Sequence, residues 1–100
     1  MPSFTVEHNT KLSPEDAYSK VSQYLQNSES LKKLDANLQC RFDEKSKTGH
    51  VKSSKFECNL KILGSDPTKV QLHVSISLFL APFKGTIEKN LKDKMIKILG

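Results

Sequence analysis

Arginine is almost missing from this chain of 100 residues: Arg41 stands alone among 16 basic residues. Bidentate recognition of phosphate and guanine leans on arginine, so its scarcity argues against a sequence-specific nucleic-acid binder. Cysteine is as sparse. Cys40 and Cys58 are too few for a disulfide framework and lack the spacing of a zinc site. No apolar run approaches the roughly 18 residues of a membrane span. The opening "MPSFTVEHNT" has neither the basic flank nor the apolar stretch of a secretory signal. The expectation is therefore a cytoplasmic protein. A glycine-rich phosphate loop, an activated serine pattern and a convergent carboxylate pair are also lacking, so no enzymatic activity, cofactor or metal is expected.

What the chain does have is lysine. The formal charge of +5 and the isoelectric point near 9.3 would favour an anionic partner, although a merely solvated lysine surface is the plainer reading. Hydrophobic residues make up 36% and charged residues 27%, which suits one domain spanning residues 1–100 with a lean core. A lean core requires most apolar residues to face one way.

The first strand is predicted at "FTVEH", Phe4 to His8, from its alternation. In "LSPEDA", Ser13 reads as a helix N-cap, Pro14 as the first helical position and Asp16 as a capping-box partner, with Leu12 and Ala17 at staple positions. The helix that follows is expected to bury Ala17, Val21, Tyr24 and Leu25. "QNSES" interrupts it, and Ser28 can cap a short second segment carrying Leu31 and Leu34.

Further on, Leu38, Cys40 and Phe42 share one strand face, and Phe56, Cys58, Leu60 and Ile62 another. A hairpin turning at Thr48-Gly49 would pair Leu38 with Leu60, Cys40 with Cys58 and Phe42 with Phe56. The other face would then match Arg41 with Glu57 and Asp43 with Lys55. One extra residue near Ser53-Ser54 would form a bulge. Both cysteines would face the core and act as small hydrophobes. In the last strand, Val70, Leu72, Val74, Ile76 and Leu78 should point inward, with His73 and Phe79 outward. The predicted fold is α+β, in the order β-α-β-β-β-α: a four-stranded antiparallel sheet with helices packed on one face. An outward face carrying Phe79 as its lone aromatic gives no stacking platform for single-stranded nucleic acid. The two sheet edges could pair into a homodimer.

From Pro82 onward, Phe83, Ile87, Leu91, Met95 and Ile98 recur at spacings of three and four, with Leu99 beside them. Lys84, Lys89, Lys92, Lys94 and Lys97 lie between. The spacing predicts a lid over the inward residues of the last strand rather than a free arm, its lysine face turned outward.

"LSPEDAYSKV" together with "VSISLFLAPFKGTIEKNLKDKMIKILG" resembles the polyhydroxyalkanoic acid system family. That family is typified by a strand ending in histidine, a helix opened by leucine and an acidic-alanine step, and "LL-x-PFKG-x-IE" leading into a basic helix. The specific match runs from Leu80 through Gly85 and on to Ile87-Glu88, supported by His8 and Leu12. The middle departs, because "RFDEKSKTGHVKSSKFEC" lacks the family's tryptophan and its Gly-x-x-Gly-like strand entry. The resemblance implies a small cytoplasmic bacterial protein, associated with storage granules and not known as an enzyme. The order of elements is also similar to a shortened helix-grip (START-like) domain, whose C-terminal helix closes over a curved sheet around an apolar cavity.

Two binding modes remain open. In one, Lys84, Lys89, Lys92, Lys94 and Lys97 meet a polymer granule or an anionic lipid surface. In the other, Leu72, Val74, Ile76, Phe83, Ile87 and Leu91 line a pocket for a small apolar ligand between helix and sheet.

Overall fold

The computed structural model describes residues 2–34, 36–64 and 66–100. Five strands form one antiparallel sheet: β1 (Ser3–Thr10), β2 (Gln39–Asp43), β3 (Thr48–Lys52), β4 (Phe56–Leu63) and β5 (Thr68–Ile76), in the spatial order β1-β5-β4-β3-β2. Helices α1 (Pro14–Asn27) and α2 (Glu29–Leu34) connect β1 to β2, and α3 (Lys84–Leu99) follows β5. Inward side chains form continuous rows across the strands. One runs Phe4, Val74, Cys58, Val51, Cys40; the next runs Val6, Leu72, Leu60, Gly49, Phe42.

The sheet has one strand more than predicted. "TGHVK", read as a turn, is β3, and it lies between the two strands expected to pair. Cys40 therefore faces Val51, and Val51 faces Cys58, while Arg41 faces His50 and Asp43 faces Thr48. Inserting a whole strand leaves the inward parity of Cys40, Phe42, Cys58 and Leu60 intact. It separates the cysteines by two strand spacings, roughly 10 Å. Gly49 misled as a turn residue. In β3 a Cβ at Gly49 would stand 2.7 Å from the Phe42 ring, so the missing side chain is the slot into which that ring fits. The chain instead reverses between Asp43 and Thr48, where Lys47 takes a φ of 54°. Ser53 forms the next turn, not a bulge. Its hydroxyl accepts from the amides of Lys55 and Phe56, both at 3.1 Å.

The α1 boundary agrees with its sequence signals. The Asp16 amide donates to Ser13 Oγ at 3.1 Å, and Pro14 opens the helix. Ala17, Val21 and Leu25 are buried, Tyr24 is half-buried, and Tyr18, not foreseen, is buried with its hydroxyl donating to the Thr48 carbonyl at 2.9 Å. Ser28 caps α2 through a bond from the Leu31 amide at 3.3 Å. Leu31 is half-buried, and the Leu34 side chain lies outside the described residues.

α1 packs over β3, β4 and β5, while α3 packs on β1 and α1. Leu91, Met95 and Leu99 form its buried stripe, with Ile87 and Ile98 half-buried beside it. The end of α3 is latched to the end of β1. The buried Thr10 hydroxyl donates to the Leu99 carbonyl at 2.8 Å, and His8 Nε2 donates to the Gly100 oxygen at 3.1 Å.

Leu78 and Phe83, both expected in the core, are not in it. β5 ends at Ile76, and Ser77 begins a turn closed by Leu80 N–H bonding back to Ser77 O at 3.0 Å, so the alternation stops. Leu78 is 78% exposed, and Leu80 takes the buried position instead. Phe83 belongs to a 3₁₀ turn, Ala81–Phe83, ahead of α3. That tighter turn changes the rotation per residue, so the four-residue spacing to Ile87 does not bring Phe83 onto the buried stripe. It is 56% exposed. Replacing Leu72, fully buried, by alanine is expected to cost about 2–5 kcal/mol. Leu78→Ala should change stability by less than about 0.5 kcal/mol. Urea unfolding of both variants checks this, and equal losses would mean that Leu78 is a core residue.

Candidate functional site

α3 carries Lys84, Lys89, Lys92, Lys94 and Lys97 against Glu88 and Asp93, a net of +3. At about 100° per residue, Lys89 and Lys97 flank Asp93 on the side opposite the Leu91–Met95–Leu99 stripe. Lys84 is half-buried, and Lys92 pairs with Glu88 one turn earlier at 3.3 Å. Lys89, Lys94 and Lys97 are exposed and have no ion-pair partner among the described residues. Three of the five lysines thus remain available for an external anion.

The pocket candidates separate. Leu72, Val74 and Ile76 are buried in the core, and Phe83 faces solvent. Ile87 and Leu91 instead join Tyr24 and Leu31 as the apolar part of a cleft of about 400 Å³ between the helices, with Lys94 and Lys97 among its other lining residues. The cleft thus joins two members of each candidate set. Tyr24 and Leu31 were not anticipated there, because helical spacing alone cannot tell which flank of α1 meets α3. Burial raises the Tyr24 phenol above its ordinary value, and a hydrogen bond with Ser28 opposes the rise.

On the β5–α3 connection Phe79 is exposed, as its outward parity predicts, whereas Leu78, expected inward, is a surface residue as well. A signal was there: Leu78, Phe79 and Leu80 are consecutive, and a sheet covered on one face cannot bury three in a row. His8 is engaged by Gly100 at the end of α3. The outward face of the sheet is polar. Thr5 Oγ1 and His73 Nδ1 lie 2.9 Å apart, His50 Nδ1 and Asn59 Oδ1 lie 2.6 Å apart, and Glu57 stands 3.5 Å from His50 Nε2. Among the described residues, no three His, Cys, Asp or Glu side chains are grouped to hold a metal, and no helix is long and apolar enough to cross a membrane.

No protein-family model and no curated protein sequence matches the chain. Among solved structures it is similar to TTHA0849 from Thermus thermophilus, with a TM-score of 0.57 and 14% identity over 98% of this chain and 94% of that one. The chain has the fold of TTHA0849. At this level of identity the likeness to TTHA0849 extends to a small α+β fold alone. The chain is also similar to Ara h 8.0201, with a TM-score of 0.47 and 11% identity over 96% of this chain and 98% of that one.

The two cysteines differ in access. Cys40 is exposed on edge strand β2, contrary to the expectation of a core position, because no strand lies beyond it. Cys58 is buried, and desolvation pushes its thiol from 9.0 up to about 12. Because the unfolded chain loses this proton first, the contribution of Cys58 to stability is complete below pH 9 and declines from there toward pH 12. At about pH 8, near the ordinary thiol range, a thiol reagent should label Cys40 alone in the folded protein and both cysteines in denaturant. Rapid labelling of Cys58 in the native state would contradict this burial.

Proposed function

We propose that this chain is a non-catalytic accessory protein that associates with an apolar or anionic surface, such as a storage-granule polymer or lipid, through the outer side of α3. The observation carrying this reading is the set of exposed lysines Lys89, Lys94 and Lys97, which lack ion-pair partners among the described residues. They project from a helix whose opposite side is committed to the core by Leu91, Met95 and Leu99. A helix held this way presents its charges without first having to fold on a surface, so little ordering entropy opposes binding. The "APFKG-x-IE" resemblance supports a polymer granule as one such surface, and the net charge of +5 favours any anionic one.

A second reading is supported by the interhelical cleft. Tyr24, Leu31, Ile87 and Leu91 would accommodate an apolar chain, and Lys94 and Lys97 its acidic end. This carrier mode differs from a pocket between helix and sheet, whose expected lining residues Leu72, Val74 and Ile76 are taken up by the core.

Co-sedimentation with polymer granules and with anionic vesicles tests the leading reading. Wild-type protein should pellet, and the charge reversal Lys89→Glu, Lys94→Glu, Lys97→Glu should lower the bound fraction by on the order of tenfold or more at low salt. Raising ionic strength should weaken wild-type binding in parallel. A wild type that stays in the supernatant with both materials would end the surface-binding proposal.

A further inference from the structure

Of the four exposed large apolar side chains among the described residues, three gather at one end of the sheet, and the fourth, Ile96, lies apart from them near the end of α3. Leu78 is 78% exposed, Phe79 74% and Phe83 56%, all on the single short connection between β5 and α3. Soluble surfaces scatter such residues singly, whereas a cluster marks a contact. The β3–β4 turn stands beside it: the Ser77 amide donates to the Lys55 carbonyl at 2.8 Å, and Lys55 Nζ lies 5.9 Å from the centre of the Phe79 ring.

Charge is arranged around this cluster with one sign. Segments 51–56 and 77–87 contain Lys52, Lys55 and Lys84 and no carboxylate. The nearest acids along the chain are already engaged, Glu57 with His50 at 3.5 Å and Glu88 with Lys92 at 3.3 Å. Carboxylates are found at the other end of the strands, where Asp43 and Glu44 enter the β2–β3 turn, Asp66 lies in the β4–β5 turn and Glu15 and Asp16 open α1, interspersed there with Lys11, Lys45 and Lys47, the last paired with Glu15 at 3.6 Å. The molecule thus has an apolar, lysine-flanked end and an opposite end rich in carboxylates.

Leu78, Phe79 and Phe83 project from a turn rather than line a groove, so they suit a partner that yields around them. Acyl chains do, and the interface above them supplies phosphates for long lysine side chains to reach. We propose that the Leu78–Phe83 connection is a wedge that inserts into the interface of an anionic phospholipid bilayer, with Lys52, Lys55 and Lys84 engaging the headgroups. This rests on the surface-binding reading above. It moves the point of attachment from the side of α3 to the end of the sheet.

The chain has no tryptophan, so Phe79→Trp creates a single reporter. With vesicles containing phosphatidylglycerol, its emission should shift to the blue and be quenched by brominated acyl chains; with phosphatidylcholine alone, both effects should be weak. Leu78→Ser combined with Phe83→Ser removes exposed side chains only and should leave folding intact by circular dichroism. It should reduce vesicle binding by on the order of tenfold or more. The comparison with the Lys89, Lys94, Lys97 charge reversal separates the two ideas. If the serine variant binds like wild type while the charge reversal does not, the wedge is overturned and the α3 reading stands. If the serine variant loses binding while the charge reversal keeps it, the wedge stands and attachment through α3 falls. Failure of wild type to bind phosphatidylglycerol vesicles overturns the wedge outright. So does concentration-dependent self-association abolished by the serine variant without vesicle binding, since the patch would then face a second copy of the chain.

Discussion

Rows of apolar side chains run across all five strands on one face of the sheet, from Phe4 through Val74, Cys58 and Val51 to Cys40. Those rows are stable only beneath a cover, because the opposite face is polar and solvated. α1 covers the middle strands and α3 the β1 side. The two helices also pack on each other, so neither is free to leave without exposing both the sheet and its neighbour. The bonds from Thr10 to Leu99 and from His8 to Gly100 hold the far end of α3 in this arrangement. An amphipathic helix committed in this way is part of the core first, and whatever its lysines do, they do from a rigid base.

That commitment shapes the surface. The buried stripe of α3 uses Leu91, Met95 and Leu99, which leaves Lys89 on the far side and Lys94 and Lys97 beside the cleft that Tyr24 and Leu31 help to line. The short passage from β5 into α3 has to reverse direction within a few residues. Its 3₁₀ turn rotates Phe83 away from the stripe, and the turn at Ser77 leaves Leu78 and Phe79 outside. The exposed apolar cluster is therefore a by-product of how the lid is attached. Its location beside Lys55 gives that by-product a chemical character suited to an interface.

Much of the layout was legible along the chain. Ser13 and Pro14 announced the start of α1, period-two alternation assigned the inward residues of β4 and β5, and three-four spacing identified the face of α3. These are local properties: a cap bonds two or three residues away, and parity or helical phase holds wherever the element ends up. Strand β3 was not legible, since it offers one large apolar residue, Val51, and a glycine that reads as a turn. The reason for Gly49 lies across the sheet in the ring of Phe42. Tyr18 had the same difficulty, because its hydroxyl is satisfied by a carbonyl 30 residues away.

By itself, then, the sequence determined the class of the fold, the inward and outward sides of most elements, and the presence of a basic closing helix. Tertiary structure alone decided the strand order, the exposure of Cys40, Leu78 and Phe83, and the meeting of Ile87 and Leu91 with Tyr24 at the cleft. Periodicity states which residues share a face but not what lies opposite that face. Partners, edges and exposed ends exist only after strands and helices distant in sequence have come together.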